Sequence, residues 1–122
     1  MAGRYDLLID QGSTYTRTFS YKDFNGDPQD LTGHTARLMI RKTHNASGNP
    51  LLDSDPFPGT LSIPTPLSGQ IELTLTDEET ELLPAPLEAV WDLELEDAGG
   101  VVLRLVEGKV IISPNVTRPP PT

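Results

Sequence analysis

Apolar and polar residues alternate along most of this chain, and a period of two predicts β-strands. Ile71, Leu73 and Leu75 alternate with Glu72 and Thr74. Strict alternation places the apolar side chains on one face and the polar side chains on the other, as in an antiparallel strand with one face in the core. The segment is therefore predicted to be a half-buried strand.

The same alternation recurs in three other segments, at 15–21, 36–41 and 91–96. In the first of them Arg17 interrupts the apolar side, which predicts a strand that lies at a sheet edge or is open to a partner. In the last of them Trp91 lies on the apolar side, and we expect its ring to anchor the core.

Two later segments, 101–106 and 109–112, are more uniformly apolar and rich in β-branched residues. Strands that are covered on both faces have this composition, so both segments are predicted to be buried. Glu107 and Gly108 separate them. The glycine fits either a turn or a β-bulge, and the sequence leaves that choice open.

Turn-forming residues separate the predicted strands. Asn25-Gly26 is the strongest hairpin signal in the chain. Ala98-Gly99-Gly100 predicts a second hairpin, which joins the strands at 91–96 and 101–106. These turns favour a fold of short strands over one of long helices.

A single helical signal is present. Thr76 and Glu79 have the spacing of a capping box, in which the hydroxyl accepts from the third amide and the glutamate reaches back. Pro84 stops the run soon afterwards. The pattern predicts one short helical turn near 77–82 that links two strands.

Proline marks two irregular regions of the chain. In the segment 43–68 it occurs at Pro50, Pro56, Pro58, Pro64 and Pro66. We predict a long loop there, with one or two short strands near 51–52 and 61–63. Residues 114–122 end in three consecutive prolines and are predicted to form an extended tail, because proline cannot donate to a sheet.

Seven to nine short strands with one helical turn indicate an all-β fold. Turns every 8–12 residues or so are typical of an antiparallel immunoglobulin-like β-sandwich, and a small closed barrel is the alternative. The length of 122 residues suits one domain. We therefore predict a β-sandwich domain at 1–113, including the loop 43–68, and a Pro-rich tail at 114–122.

Composition and charge exclude several classes of function. The chain has no cysteine, which removes disulfides, thiolate metal sites and cysteine nucleophiles. Its net charge is −9, and residues 51–122 hold thirteen acidic but only three basic side chains. This balance disfavours nucleic acid, which proteins bind with lysine and arginine. No segment has the length and apolarity of a membrane span or of a signal peptide, so no membrane partner is expected.

Candidate catalytic chemistry is sparse. His34 and His44 lack the spacing of a zinc site, which needs three or four ligands. Asp92, Glu94 and Glu96 share one strand face at about 6.5–7 Å per step, a separation that a glycosidase could use. With only seven aromatic residues in the chain, a solvated face is the better interpretation. We predict a protein that is not an enzyme, with no catalytic, metal or cofactor-binding residues.

Candidate interface residues lie on predicted strands and in the proline-rich regions. They are Arg17, Arg37, Arg41, Pro56, Phe57, Pro58, Val116, Arg118 and Pro119. Arginine is enriched at protein interfaces because its guanidinium forms paired hydrogen bonds. The alternative role for the three strand arginines is cross-strand pairing with the acidic residues of 91–96.

Several segments together resemble one family. They are Asp10-Gln11-Gly12-Ser13, Asp30 to Arg37 with Ile40-Arg41, Gly69 to Leu73, Thr80 with Leu82-Leu83, Trp91 to Leu95, Arg104 to Gly108, and Val116-Thr117-Arg118. This set resembles small virion proteins of tailed bacteriophages, which are immunoglobulin-like β-sandwiches related to the N-terminal domains of baseplate and tail-fibre adaptor proteins. The resemblance covers about residues 5–118 through turn and strand signatures. Trp91 replaces the tyrosine usual in the family, and the insert at 43–68 is additional.

The resemblance implies a structural protein of the virion, without catalytic residues, made in the cytoplasm of the bacterial host. It would connect or decorate tail, baseplate or neck components through contacts with other virion proteins, in a symmetric multimeric assembly. The first alternative is a capsid decoration, or cement, protein that clamps capsomers with the arms at 43–68 and 114–122. The second is a carbohydrate-binding module for host attachment.

Overall fold

The computed structural model describes residues 3–55 and 57–116, which form two β-sheets. The strands of this part of the chain are β1 (Gly3–Arg4), β2 (Leu7–Asp10), β3 (Tyr15–Ser20), β4 (Thr35–Arg41), β5 (Leu52–Asp53), β6 (Leu61–Ser62), β7 (Gln70–Leu75), β8 (Leu87–Glu96) and β9 (Val102–Ser113). One α-helix, α1 (Asp77–Glu81), and a 3-10 turn (Pro66–Ser68) lie between strands. The fold is thus mostly β, as predicted.

The larger sheet is antiparallel except at one edge. Its order is β1–β9–β8–β4–β5, and β2 continues beside β9 in line with β1. Both β1 and β2 run parallel to β9, so the prediction of a wholly antiparallel fold is wrong at this edge. A parallel pair needs no tight turn between its strands. Neither β1 and β2 nor their parallel direction was predicted, because nearly the whole chain separates these strands from β9.

The smaller sheet has the order β3–β7–β6 and is antiparallel throughout. Two separate sheets rule out the closed-barrel alternative for the described residues. The helix α1 links β7 of the smaller sheet to β8 of the larger one. The predicted capping box is present: the Thr76 hydroxyl accepts from the Glu79 amide at 3.2 Å, and the Glu79 carboxylate accepts from the Thr76 amide at 3.0 Å.

Most of the predicted connections are also confirmed. The β8–β9 hairpin closes with a hydrogen bond of 3.0 Å from the Asp97 amide to the Val101 carbonyl, and Gly100 has a positive φ of 86°. The short strands expected within 43–68 are β5 and β6. Asn25-Gly26 forms a tight turn, but the hairpin around it is reduced to one bridge between Lys22 and Pro28.

The last strand differs from the prediction in two ways. It is one continuous strand through Glu107 and Gly108, so these residues form no turn, and the irregularity in its pairing lies opposite Leu93 and Glu94. Its apolar start is also exposed: Val101 and Val102 retain 65% and 55% of their accessible surface. The prediction of burial on both faces is wrong because no element in the described part of the chain covers this end of the hairpin.

The described chain continues past the last strand. The Asn115 side chain donates to the Glu81 carboxylate at 2.9 Å, and the Asn115 backbone amide donates to the Gln11 side-chain oxygen at 3.4 Å. The packed part of the chain therefore extends at least two residues beyond 113. Residues 117–122, the rest of the predicted tail, lie outside the described residues.

The core lies between the two sheets and consists of inward-facing side chains from both. Its fully buried members include Leu7, Ile9, Leu31, Leu38, Ile40, Leu61, Ile71, Leu73, Leu75, Leu83, Leu93 and Ile112. Trp91 lies among them with 3% of its surface exposed, and its ring centroid is 5.4 Å from that of Phe19 on the smaller sheet. Its indole Nε1 donates to the Tyr5 carbonyl at 2.9 Å.

Replacing Trp91 with alanine should lower the free energy of unfolding by about 3–5 kcal/mol, because it leaves a cavity between the sheets. Urea or guanidinium unfolding measures this loss. Phe24→Ala is the matched control, since Phe24 is fully exposed and should change stability by less than about 0.5 kcal/mol. A loss below about 1 kcal/mol for Trp91→Ala would contradict a core role for the ring.

Candidate functional site

The outer face of the larger sheet collects charged side chains from three adjacent strands. The register places Arg37 of β4 opposite Glu94 of β8, which in turn lies opposite Arg104 of β9. The arginines and acidic residues that the sequence marked as candidates on two different strands thus meet on one surface. We call this surface the charged face.

Arg37 binds a different acid from the one predicted. Its Nε and Nη2 donate to the two carboxylate oxygens of Asp53 on β5, at 3.1 and 2.6 Å. The register does place Arg37 opposite Glu94, but its ion pair is with Asp53, because β5 adds an acidic neighbour on the other side of β4 that the sequence pattern did not align. The hydrogen bond from Arg37 lowers the pKa of Asp53 and raises the pKa of the arginine.

Arg41 holds a loop in place through hydrogen bonds to its backbone carbonyls. Its Nη1 donates to the backbone carbonyls of Gly48 at 3.0 Å and Ala46 at 3.4 Å. This holds the start of the 43–68 segment beside β4. The loop forms one wall of a groove of about 340 Å³ on the charged face, lined by residues that include Arg41, His44, Asp92, Glu94, Arg104 and Glu107.

A second groove of about 450 Å³ adjoins the first, and Glu94 lines both. Its other lining residues include Arg37, Asp55, Phe57, Glu96 and Val102. The half-buried Phe57 provides an aromatic wall. Both grooves are thus lined by apolar as well as charged side chains.

The remaining ion pairs of the charged face are exposed. Arg104 contacts Asp92 at 3.4 Å and Glu107 at 3.7 Å, while Lys109 contacts Glu88 at 3.2 Å. Pairs of this kind stabilise a fold by only about 0–1 kcal/mol each. These pairs can therefore be rearranged at little cost in stability.

Arg17 lies away from the charged face, on the edge strand β3 of the smaller sheet. Its guanidinium carbon is 5.6 Å from the centroid of the Tyr5 ring and 5.4 Å from that of Tyr15, a cation–π geometry. Its Nε also donates to the Tyr15 hydroxyl at 3.3 Å, which raises the pKa of Arg17. The prediction of an edge strand is confirmed.

The other predicted interface residues belong to the 43–68 segment and to the chain after β9. Val116 is almost fully exposed beyond the far end of β9. Pro58 follows Phe57 through a cis peptide bond in the 43–68 segment. Pro56, Arg118 and Pro119 lie outside the described residues.

Sequence reasoning missed one exposed apolar pair. Leu8 of β2 and Ile111 of β9 are register partners and keep 62% and 40% of their surface exposed. Leu8 interrupts an alternation in which Leu7 and Ile9 face the core, and this short pattern was the available signal. With Tyr5, these residues leave the parallel edge of the larger sheet partly apolar.

Among the residues that the structure describes, no three His, Cys, Asp or Glu side chains form a group that could hold a metal ion. His44 lines the first groove, and the Nδ1 of His34 is 3.4 Å from the Thr32 carbonyl oxygen. No helix in the described ranges is long and apolar enough to cross a membrane.

No protein-family model matches the chain, and no curated protein matches it. The surfaces described above therefore carry the functional argument together with the residue signatures of the sequence.

The Arg37–Asp53 pair makes a testable contribution to stability. Since the pKa of Asp53 is lowered in the folded state, the pair stabilises the fold above the unfolded value of about 3.9 and ceases to do so as the pH falls through the folded value. Wild type should lose more unfolding free energy than Asp53→Asn between about pH 7 and about pH 3.

Urea unfolding at the two pH values measures the difference, which should be small because Arg37 is half exposed. Asp55→Asn is the matched control and should follow wild type, since the Asp55 carboxylate forms no ion pair in the described part of the chain. An equal acid loss in wild type and Asp53→Asn would contradict the stabilising role of the pair.

Proposed function

We propose that this protein is a non-enzymatic structural protein of a tailed-bacteriophage virion, which connects or decorates tail, baseplate or neck components through protein–protein contacts. We further propose that its two sheets form an immunoglobulin-like sandwich. The observation that carries the proposal is the order of the strands, because it supports the fold that the residue signatures led us to expect.

The strand order supports an immunoglobulin-like arrangement in a specific way. In that fold, strands C, F and G form one sheet, with C′ added beside C in the variable type, and strands A, B, E and D form the other. Here β4, β8 and β9 take the places of C, F and G, with β5 beside β4, and β3, β7 and β6 take those of B, E and D. The first strand departs from this scheme, because it lies beside the last strand at the edge of the larger sheet and not beside β3.

The chain departs from antibody domains in how its core is fixed. It has no cysteine pair, and its buried tryptophan lies on β8, in the place of strand F, whereas antibody domains carry it on strand C. The contact of Trp91 with Phe19 joins the sheets instead, and its hydrogen bond to Tyr5 ties β8 to the edge of the larger sheet. A cysteine-free sandwich folds without a disulfide, which suits a virion protein made in a bacterial cytoplasm.

The surface supports contact with proteins more than with small molecules. The two grooves of the charged face are lined by both signs of charge, and strands of the larger sheet form them together with residues of the 43–68 segment. Arginine and aromatic side chains such as Arg37, Arg104 and Phe57 are the residue types that protein interfaces favour. Together they fit a connector that docks through its sheet faces and edges.

The second candidate is a capsid decoration protein. It is favoured by the acidity of the chain, since thirteen of the eighteen acidic residues lie in residues 51–122. A strongly acidic small domain repels like-charged neighbours at long range and remains soluble until its arms bind. The arms would be the segment 43–68 and the residues from 114 onward.

Immunogold electron microscopy tests the proposal. An antibody against this protein is applied to virions purified from a lysate of the phage whose genome encodes it. We expect label at the tail tip, baseplate or neck, at low copy number per particle. An antibody against the major capsid protein is the positive control for a labelled head.

Label distributed over the capsid shell would contradict the connector role and favour the decoration protein. Particles that carry no label, although the protein is present in the lysate, would overturn both virion roles.

A further inference from the structure

The strand β3 has one side that no described strand covers, and we call this side the β3 edge. The Tyr21 amide donates to the Gly69 carbonyl at 2.7 Å, and on the far side of β7 the Thr74 amide donates to the Thr60 carbonyl at 2.9 Å. Hydrogen bonding alternates along an antiparallel strand. Tyr15, Arg17 and Phe19 therefore bond toward β7.

The backbone groups of the intervening residues point the other way. Thr16, Thr18 and Ser20 direct their amides and carbonyls to the β3 edge, and their side chains are exposed. At six residues, β3 is the longest strand at a sheet edge in the described part of the chain; β5 and β6 have two residues each. An edge of this length is a template for pairing with another strand.

Arg17 sits at an inward-facing position of this edge. It lies between Tyr15 and Phe19, which are both buried, yet its own side chain is exposed. Among the described residues its guanidinium contacts tyrosine rings and a hydroxyl but forms no ion pair with a carboxylate. The edge therefore presents a cation that a partner can neutralise.

We propose that the β3 edge pairs with an extended segment of another protein, and that this segment carries an aspartate or glutamate facing Arg17. Backbone hydrogen bonds to Thr16 and Thr18 would supply affinity, and the carboxylate would supply selectivity. The inference rests on the proposed role in protein–protein contact, but it does not require a particular place in a virion.

A second copy of this chain is a poor occupant of the same edge. A two-fold antiparallel pairing that joins Thr16 to Thr18 of the second copy places the two copies of Arg17 directly opposite each other. Like charges directly opposite on paired strands are destabilising. A register one step along brings Arg17 opposite Phe19 of the second copy and leaves the two copies of Arg17 at diagonal positions, about 7–8 Å apart. Inward-pointing charges of this kind protect edges against self-association.

A short peptide tests the proposal. The probe is a blocked peptide with the sequence TVTETVT, in which glutamate lies on the same face as the two valines. That face would meet Arg17 and the adjoining aromatic rings. The matched control peptide, TVTKTVT, has lysine in place of glutamate. Titration is followed by two-dimensional NMR of the full chain, which reports each backbone amide.

We expect shifts confined to the amides of 14–20 and their neighbours, with Kd of about 1 mM or tighter for the glutamate peptide. The lysine peptide should bind at least about 10-fold more weakly, which corresponds to about 1.4 kcal/mol. Arg17→Glu should reverse the preference between the two peptides. Arg104→Glu, on the charged face, is the matched control and should leave the preference unchanged.

A second variant tests the backbone contact. Thr18→Pro removes an amide that points to the β3 edge and no amide that bonds to β7, so it should abolish binding while the dispersed spectrum of the fold remains. If Arg17→Glu fails to fold, Arg17→Gln should erase the preference instead.

Three results would overturn the proposal: no shift at about 5 mM peptide, equal affinity for the two peptides, or shifts centred on β2. The immunogold result is independent of this titration, so failure of one proposal is distinguishable from failure of the other.

Discussion

The hydrogen bond from the Trp91 indole to the Tyr5 carbonyl is the contact on which the arrangement of both sheets depends. It reaches from the centre of the larger sheet to its edge strand, and the same ring contacts Phe19 of the smaller sheet. The bond requires Gly108, which lies opposite Trp91, because a β-carbon there would collide with the Tyr5 carbonyl. Because the Tyr5 carbonyl accepts from the indole, the Asp6 carboxylate accepts the hydrogen bond from the Lys109 backbone amide in its place. One buried ring thus fixes the core and divides the first strand into β1 and β2.

This junction determines which edges the molecule offers to partners. The strands β1 and β2 pair with β9 in parallel, and no described strand pairs with the β3 edge next to them. Tyr5 bridges the two edges through ring contacts with Arg17 and Phe19, and no backbone pairing joins the sheets within residues 3–55 and 57–116. The short, interrupted β1–β2 edge and the inward charge on β3 both oppose uncontrolled association. If the proposed role in protein–protein contact holds, these two features would restrict which protein binds at the edges.

Local pattern predicted much of the fold, and long-range pairing accounts for most of what was missed. Alternation identified β3, β4, β7 and the second half of β8, and the capping box at Thr76 identified α1. The parallel first strand and the continuity of β9 through Gly108 depend on contacts between residues about 100 positions apart, which no local period encodes. The predicted interface arginines lie on different sheets for the same reason. Arg37 lies on the charged face and Arg17 on another sheet because strand order is not sequence order.

Amide hydrogen exchange of the isolated protein, measured residue by residue by NMR, tests the central claim that two adjacent edges are free. We predict alternation along both strands: the amides of Leu7, Ile9 and Arg17 should exchange at least about 100-fold more slowly than those of Leu8, Thr16 and Thr18. Uniform protection along β3 would mean that its edge is covered, and uniform rapid exchange along 7–10 would mean that the parallel strand is not held. Either result would contradict the account.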